Sequence, residues 1–127
     1  GHGETMVLPD IAATIFEGEA ELAVVIGKRT SNVSAARAME HVFGYVNFID
    51  GSARGVIPEN NSFYQMKSRA TFAPIGPYLV TADEVKDPHK LSVKLWNNGE
   101  TLCQARVYRS RKGSSIRRCA AWREHAE

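Results

Sequence analysis

The dipeptide Asn98–Gly99, set between two short runs of strand-forming residues, most restricts how this chain can fold. Residues 91–95 alternate strictly between apolar and polar side chains, and residues 101–107 can supply the returning strand. Asparagine and glycine both accept the positive φ angles that a two-residue type I′ turn requires at its two central positions. The sequence therefore predicts a β-hairpin over residues 91–107.

Other strand signals occur earlier in the chain. Residues 19–27 are the clearest strand, because they become β-branched and end at a glycine. Residues 45–49 resume a strand pattern and stop at the turn signal Asp50–Gly51. Residues 72–80 contain two prolines around a glycine, which limits them to a short or edge strand. These signals predict a mostly β domain.

A short helix is expected between the first strands. Residues 35–43 carry apolar side chains at helical spacing and follow polar N-cap candidates. Residues 54–66 contain glycine, proline and asparagine and are expected to form a loop. Ile116, Ala120 and Ala121 are the weak signs of a second helix. With 127 residues, the chain is long enough for one domain, which we place in the α+β class.

Targeting and redox signals favour the cytoplasm. No basic region leads into an apolar one at the N-terminus, so no secretory signal is visible. No apolar run approaches the roughly 20 residues needed to span a bilayer. Cys103 and Cys119 match neither a metal-binding spacing nor a disulfide framework, so reduced thiols are expected. We therefore predict a cytoplasmic protein with no membrane partner.

Charge is distributed unevenly along the chain. Seven of the 16 Lys and Arg but only two of the 14 acids lie after residue 104, so residues 1–104 carry a formal charge of −3 and residues 105–127 of +5. The chain is therefore divided into a first portion, residues 1–104, and a basic atypical segment, residues 105–127. Solvated arginines are the favoured interpretation of this segment, and nucleic-acid binding is the alternative.

Acidic residues recur along the first predicted strand. Glu19 and Glu21 are two residues apart, so their carboxylates project from the same face, and Glu17 extends the series. Like charges this close repel unless a cation lies between them. A solvated acidic face on an exposed sheet would explain the same spacing.

Asp50 offers a third carboxylate from a second strand. It ends the run 45–49, where a buried strand would open into a loop. Three carboxylates form an oxygen-rich ligand set that suits Mg²⁺, Mn²⁺ or Ca²⁺ rather than zinc. Glu19, Glu21 and Asp50 are therefore candidate metal ligands, and the alternative for Asp50 is a turn-capping aspartate.

Arg54 and Lys67 are the candidate partners of an anionic substrate. A guanidinium can hold a carboxylate through two hydrogen bonds, and a lysine ammonium can neutralise a developing enolate. Taken singly, each is also explained as a solvated loop cation. His41 and His89 have no obvious carboxylate to orient them and are not expected to act as bases.

Five groups of residues, in order across residues 9–104, resemble the fumarylacetoacetate hydrolase family. They are an E-x-E strand with V-I-G-K at 16–28, F-G-Y with D-x-S-A-R at 43–54, K-S with F-x-P-x-G-P at 67–77, D-P-x-x-L at 87–91 and N-G-E at 98–100. Each motif is weak alone. Their shared order and spacing make the resemblance specific.

The resemblance implies a mixed β-sandwich roll, usually a homodimer, with a divalent cation on Glu19, Glu21 and Asp50. Mg²⁺ is the expected ion, with Mn²⁺ and Ca²⁺ as alternatives. Lys67 and Arg54 become the catalytic, substrate-side cations. The implied activity is metal-dependent hydrolysis of a carbon–carbon bond in a β-diketo or 2-oxo acid, such as an acylpyruvate or a fumarylacetoacetate-like compound. Decarboxylases, isomerases and dehydratases also occur in the family.

The chain departs from the family pattern in four places. Ile49 stands where the family often has Asn, and Gly55 where Asp commonly follows S-A-R. The lid segment that usually supplies a histidine is not seen, and neither is the closing segment after the hairpin. The alternative function is therefore a non-catalytic or degenerate domain that binds metal or oxo acid without turnover. A changed reading frame or replaced terminus is our hypothesis for residues 105–127.

Overall fold

The computed structural model describes residues 1–56, 63–107 and 119–125, in which strands are the main regular secondary structure. The strands are β1 (Ile15–Ile26), β2 (Val42–Arg54), β3 (Ile75–Thr81), β4 (Ser92–Asn97), β5 (Glu100–Arg106) and β6 (Cys119–His125). The helical elements in these ranges are α1 (Phe63–Lys67) and the 3₁₀ helices Ala38–His41 and Pro88–Lys90. The prediction of a mostly β domain of the α+β class is confirmed.

Two sheets are present in the described part of the chain. The larger has the strand order β3-β2-β1-β6, and the smaller is the pair β4-β5. All the pairings are antiparallel. The central pair, β1 and β2, keeps one register from Ile15 opposite Arg54 to Val25 opposite Gly44, before a bulge at Ile26. This long ladder fixes which side chains of the two strands share a face.

The predicted hairpin is confirmed. β4 and β5 pair with Asn97 opposite Glu100, and Asn98 and Gly99 have φ angles of 49° and 85°. Positive φ at both positions is the signature of the type I′ turn, whose twist matches that of the flanking strands. The short edge strand is confirmed as well, because β3 lies at one edge of the larger sheet.

Two helix predictions are wrong. In place of a helix over residues 35–43, the chain forms only the 3₁₀ helix Ala38–His41, which buries none of its residues. Short helices in proteins depend on packing an apolar face, which this segment does not do. Near the C-terminus, Ala120 and Ala121 lie in β6, which pairs with β1, whereas Ile116 lies outside the described residues.

Other expectations lie partly outside the described residues. In the expected loop 54–66, residues 57–62 are not described, and α1 follows them. Residue 104, where charge divides the chain, lies within β5. That division stays a prediction.

The hydrophobic core lies on one face of the larger sheet. Phe16, Ala53, Val56 and Phe72 form a cluster of buried side chains, with Phe72 only 2% exposed. Gly51 permits this packing, because a Cβ atom on it would come within 2.9 Å of Phe72 Cγ. Since neighbouring residues of a strand face opposite ways, the acidic residues of β1 face away from this core.

The structure overturns the prediction of reduced thiols at one position. Cys103, on β5, is disulfide-bonded. Among the helices the structure describes, none is long and apolar enough to span a membrane.

Candidate metal centre

The strand register brings the three predicted ligands together. Glu19 lies directly opposite Asp50 across the β1–β2 ladder, and Glu21 follows on the same face of β1. One carboxylate oxygen from each of the three residues lies within 4.8 Å of the other two. Glu19 is fully buried, whereas Glu21 and Asp50 are half-buried. Asp50 lies inside β2 and not in a turn, so the turn-capping alternative is wrong.

Lys67 enters the same cluster from α1. Its ammonium nitrogen Nζ lies 2.5 Å from Asp50 Oδ2 and 3.2 Å from Glu19 Oε1. It also donates a hydrogen bond of 2.7 Å to Ser52 Oγ. The Lys67 side chain is 17% exposed, so this is a partly buried ammonium and not a solvated loop cation.

Arg54, at the end of β2, contacts carboxylates of β1. Its Nε donates to Glu17 Oε2 over 2.9 Å, and its Nη2 donates to Glu19 Oε1. The guanidinium thus bridges two acidic residues of the neighbouring strand. These contacts restrain the Glu19 carboxylate, because the planar guanidinium has fixed donor directions.

Ser52 is a member of the cluster that the sequence interpretation missed. It is fully buried, donates to Glu19 Oε1 over 3.2 Å and accepts the hydrogen bond from Lys67. Strand alternation contains the signal that would have found it. Asp50, Ser52 and Arg54 are spaced by two in β2, so they share a face.

The spacing of the three carboxylates suits a divalent cation. Oxygens on one Mg²⁺ or Ca²⁺ are about 2.0–2.6 Å from the ion and hence at most about 5 Å apart, which agrees with the observed spacing. The donor set therefore fits such an ion.

The candidate histidines lie elsewhere. His41 Nδ1 is 2.9 Å from the Thr30 hydroxyl. The His89 backbone N–H binds Asp87 at the start of a 3₁₀ helix. That neither acts as a base stays a prediction.

A separate groove of about 690 Å³ lies beside the cluster. It is lined by residues of β1 to β4, among them Glu21, Tyr45 and Trp96, but not by Glu19 or Asp50. Tyr45 is 3% exposed, and its hydroxyl has no hydrogen-bond partner within the described residues. Burial raises the pKa of Tyr45, and the Asp87 carboxylate adds to the effect.

Comparisons with known proteins find similar sequences. The domain described as "Fumarylacetoacetate (FAA) hydrolase C-terminal" matches residues 1–111. A mitochondrial oxaloacetate tautomerase of Homo sapiens is 40% identical over 104 residues, which are 80% of this chain and 33% of that protein. A 4-hydroxyphenylacetate degradation bifunctional isomerase/decarboxylase of Salmonella dublin is 40% identical over 103 residues, or 78% of this chain and 23% of that protein.

A solved structure extends the likeness to the fold. Maleylpyruvate hydrolase from Sphingobium sp. SYK-6, in complex with manganese(II) and pyruvate, superposes with a TM-score of 0.68 at 36% identity, covering 80% of this chain and 36% of that one. The predicted roll is thereby confirmed as the fold type of this chain. The chain spans about a third of the length of the first curated relatives that it matches.

Proposed function

Because this chain belongs to the fumarylacetoacetate hydrolase family, we propose that it provides the divalent-cation site of an enzyme that acts on 2-oxo or β-diketo acids. The observation that carries the proposal is the convergence of Glu19, Glu21 and Asp50 within 4.8 Å on one sheet face. Their formal charge and oxygen donors suit a hard cation.

Glu19, Glu21 and Asp50 would hold the ion, with Mg²⁺ as the expected cation and Mn²⁺ or Ca²⁺ as alternatives. When bound, a divalent ion polarises the oxo and carboxylate oxygens of a substrate and neutralises charge that develops on them. The manganese complex of the Sphingobium relative supports this assignment. The three carboxylates would bind and orient the ion from neighbouring positions of the β1–β2 ladder.

Lys67 and Arg54 receive different roles. Lys67 is the substrate-side cation, because its ammonium adjoins the ligands and is partly exposed at 17%. An ammonium there stabilises an enolate oxygen as negative charge builds on it. Arg54 is a positioning residue, because both of its hydrogen bonds go to carboxylates of β1. It would hold Glu19 in place.

The reaction we propose is the one implied by the family resemblance, hydrolytic cleavage of a carbon–carbon bond in a β-diketo acid such as an acylpyruvate. Similar proteins are named as a tautomerase and as an isomerase/decarboxylase, so tautomerisation, isomerisation and decarboxylation are further candidate reactions. A stabilised enol or enolate of an oxo acid is common to these reactions. Binding of metal or oxo acid without turnover is the alternative outcome for this chain.

The test combines a metal series with two substrates. The chain is incubated with Mg²⁺ or Mn²⁺ and either an acylpyruvate or oxaloacetate, and loss of the enol absorbance is followed. Turnover that requires metal and is lost in Glu21→Ala, but kept in the exposed control Glu100→Ala, supports an enzyme. Metal-dependent thermal stabilisation without turnover supports the binding alternative, and the absence of both contradicts the proposed site.

A homodimer is the proposed assembly. The edge strand β3 exposes large apolar side chains, with Ile75 and Leu79 each 46% exposed and Tyr78 78% exposed. Within the described part of the chain β3 pairs on one side only, and an apolar sheet edge of this kind is commonly covered by a partner strand or subunit. Light scattering after gel filtration would detect the dimer, and Leu79→Glu is expected to shift it towards monomer.

A further inference from the structure

The Lys67 ammonium contacts two of the three carboxylates that we assign to the ion. Its Nζ is 2.5 Å from Asp50 Oδ2 and 3.2 Å from Glu19 Oε1. An ion bound to the same two oxygens would sit about 2.0–2.6 Å from each. Two cations so close to shared oxygens repel each other strongly. The contacts of Lys67 therefore disfavour an ion on Asp50 Oδ2 and Glu19 Oε1.

We propose that Lys67 is a built-in competitor for the divalent cation, an inference that rests on the proposed metal site. In the metal-free protein its ammonium holds Glu19 and Asp50 together and reduces their mutual repulsion. Ion binding then requires Lys67 to leave the ligand set. The affinity for the ion is reduced by the free energy of this contact, since the ammonium and the ion would repel each other across the shared carboxylates.

Local structure makes Lys67 the cation that moves. It is the last residue of the one-turn helix α1, outside both sheets. Its side chain is flexible and 17% exposed, so rotation about its carbon–carbon bonds carries the ammonium to solvent without a change in the strands. Arg54, in contrast, is part of β2 and is fixed by two carboxylates.

Displacement has a consequence for the substrate. A Lys67 ammonium that leaves Glu19 and Asp50 remains tethered next to the site by α1. It then becomes available to an anionic oxygen of an oxo acid held at the ion. Binding of the ion would thus displace Lys67 and make its ammonium available to the substrate in one step. An oxo acid would therefore contact Lys67 only in the metal-bound protein.

The first experiment measures Mn²⁺ affinity by calorimetry in the full chain and in Lys67→Met, with Lys94→Met as the control because Lys94 is exposed on β4. Lys67→Met is expected to bind Mn²⁺ about tenfold more tightly, within the range of about 5–150-fold typical of coupling between sites. The control is expected to bind as the unchanged chain does. Removal of a neighbouring charge alone would also tighten binding, so a second measurement is needed.

The second experiment uses the unchanged chain and reads the position of the Lys67 amine directly. Lysines are acylated briefly with and without Mn²⁺, and each site is quantified by mass spectrometry. Displacement is expected to raise acylation of Lys67 several-fold while Lys94 is unaffected. A nearby charge that does not move would leave Lys67 protected, and this result would overturn the proposal even if Lys67→Met does not fold.

The outcomes separate this inference from the metal site itself. Mn²⁺ binding with unchanged affinity in Lys67→Met and constant acylation overturns the competition and leaves the site intact. Failure of both proteins to bind Mn²⁺ overturns the site and the competition together. Binding only in Lys67→Met supports the competition, because the internal cation then excludes the ion, and contradicts the metal role of the unchanged chain.

Discussion

The Ser52 hydroxyl donates a hydrogen bond of 3.2 Å to Glu19 Oε1, and both residues are fully buried. Ser52 also accepts from Lys67 over 2.7 Å. A neutral side chain thereby links the most buried carboxylate of the cluster to its ammonium. The candidate centre is held by a polar network whose members share oxygens, and each member can be tested separately.

Ser52→Ala is expected to lower the free energy of unfolding by about 1–3 kcal/mol, because it removes one hydrogen bond from each of two charged groups, Glu19 and Lys67. Urea unfolding of the metal-free protein measures the change. Ser92→Ala, at an exposed position of β4, is the control and is expected to change stability by less than about 0.5 kcal/mol. Equal effects of the two substitutions would contradict the structural role of Ser52.

Arg54→Met is expected to destabilise the protein by about 1–3 kcal/mol. The loss is smaller than the roughly 3–5 kcal/mol of a fully buried pair, because the Arg54 side chain is 27% exposed. Arg37→Met removes the exposed pair with Glu40 and is expected to cost about 0–1 kcal/mol. Arg54→Lys keeps the charge but cannot bridge Glu17 and Glu19 as the guanidinium does, so its loss of stability is expected to lie between those of Arg54→Met and Arg37→Met. Thermal or urea unfolding ranks the three variants.

Saturation with Mg²⁺ or Mn²⁺ is expected to raise the melting temperature. At a concentration about 100-fold above the dissociation constant, the gain in unfolding free energy is about 2.7 kcal/mol. Glu19→Gln is expected to abolish this gain, whereas Glu100→Gln at an exposed position retains it. Differential scanning calorimetry with and without a chelator provides the measurement. If metal stabilises Glu19→Gln as much as the unchanged chain, the ion binds at a site that does not include Glu19.

Gly51→Ala is expected to destabilise the fold by about 1–3 kcal/mol through overpacking. The added Cβ would meet both the ring and the carbonyl oxygen of Phe72 at 2.9 Å. Gly18 lies directly opposite Gly51 in the ladder and is the matched control, because the one contact of a Cβ there with the described side chains is with Ile49, at an ordinary 3.6 Å. Similar unfolding curves for the two variants would contradict this prediction, because they would show that Phe72 can move away from the added Cβ at little energetic cost.

The raised pKa of Tyr45 predicts that the protein loses stability at alkaline pH. Its pKa is raised above the ordinary 10.0, chiefly by burial, so the folded state disfavours the phenolate. The contribution to stability is complete below pH 10 and is lost as the pH rises from there through the folded-state pKa. Tyr45→Phe is expected to lose this alkaline decline and to cost little at neutral pH, because the hydroxyl has no hydrogen-bond partner in the described part of the chain.

Urea unfolding at neutral pH and above pH 10 measures the effect. Tyr78→Phe, at a side chain that is 78% exposed, is the control and retains the decline. A decline of the same size in Tyr45→Phe would assign the alkaline loss to other groups.

Local sequence signals were sufficient where the structure depends on neighbouring residues. Alternation placed Glu19 and Glu21 on one face, and Asn98–Gly99 specified its turn through backbone preferences alone. The two strands containing Glu19 and Asp50 were also recognised, although both extend several residues further than predicted. The site residues themselves came from motif order, because spacing alone did not distinguish ligands from a solvated acidic face.

Long-range contacts explain what sequence reasoning missed. The Lys67 position among the ligands depends on how α1 packs against β2, which no local pattern encodes. The pairing of Arg54 with Glu17 depends on the register of β1 against β2. Residues 35–43 show that a local pattern alone is not enough. Their apolar side chains have helical spacing, but the 3₁₀ helix Ala38–His41 buries none of its residues.

The single register of β1 and β2 also affects how accurately the chain folds. A slip of one residue would turn every side chain of β2 to the opposite face. Asp50, Ser52 and Arg54 would then point into the cluster around Phe16 and Phe72, where unpartnered charges are strongly unfavourable. The charged residues therefore destabilise misaligned pairings of β1 with β2 during folding. The side chains that form the candidate centre thus help to select the correct register of these two strands.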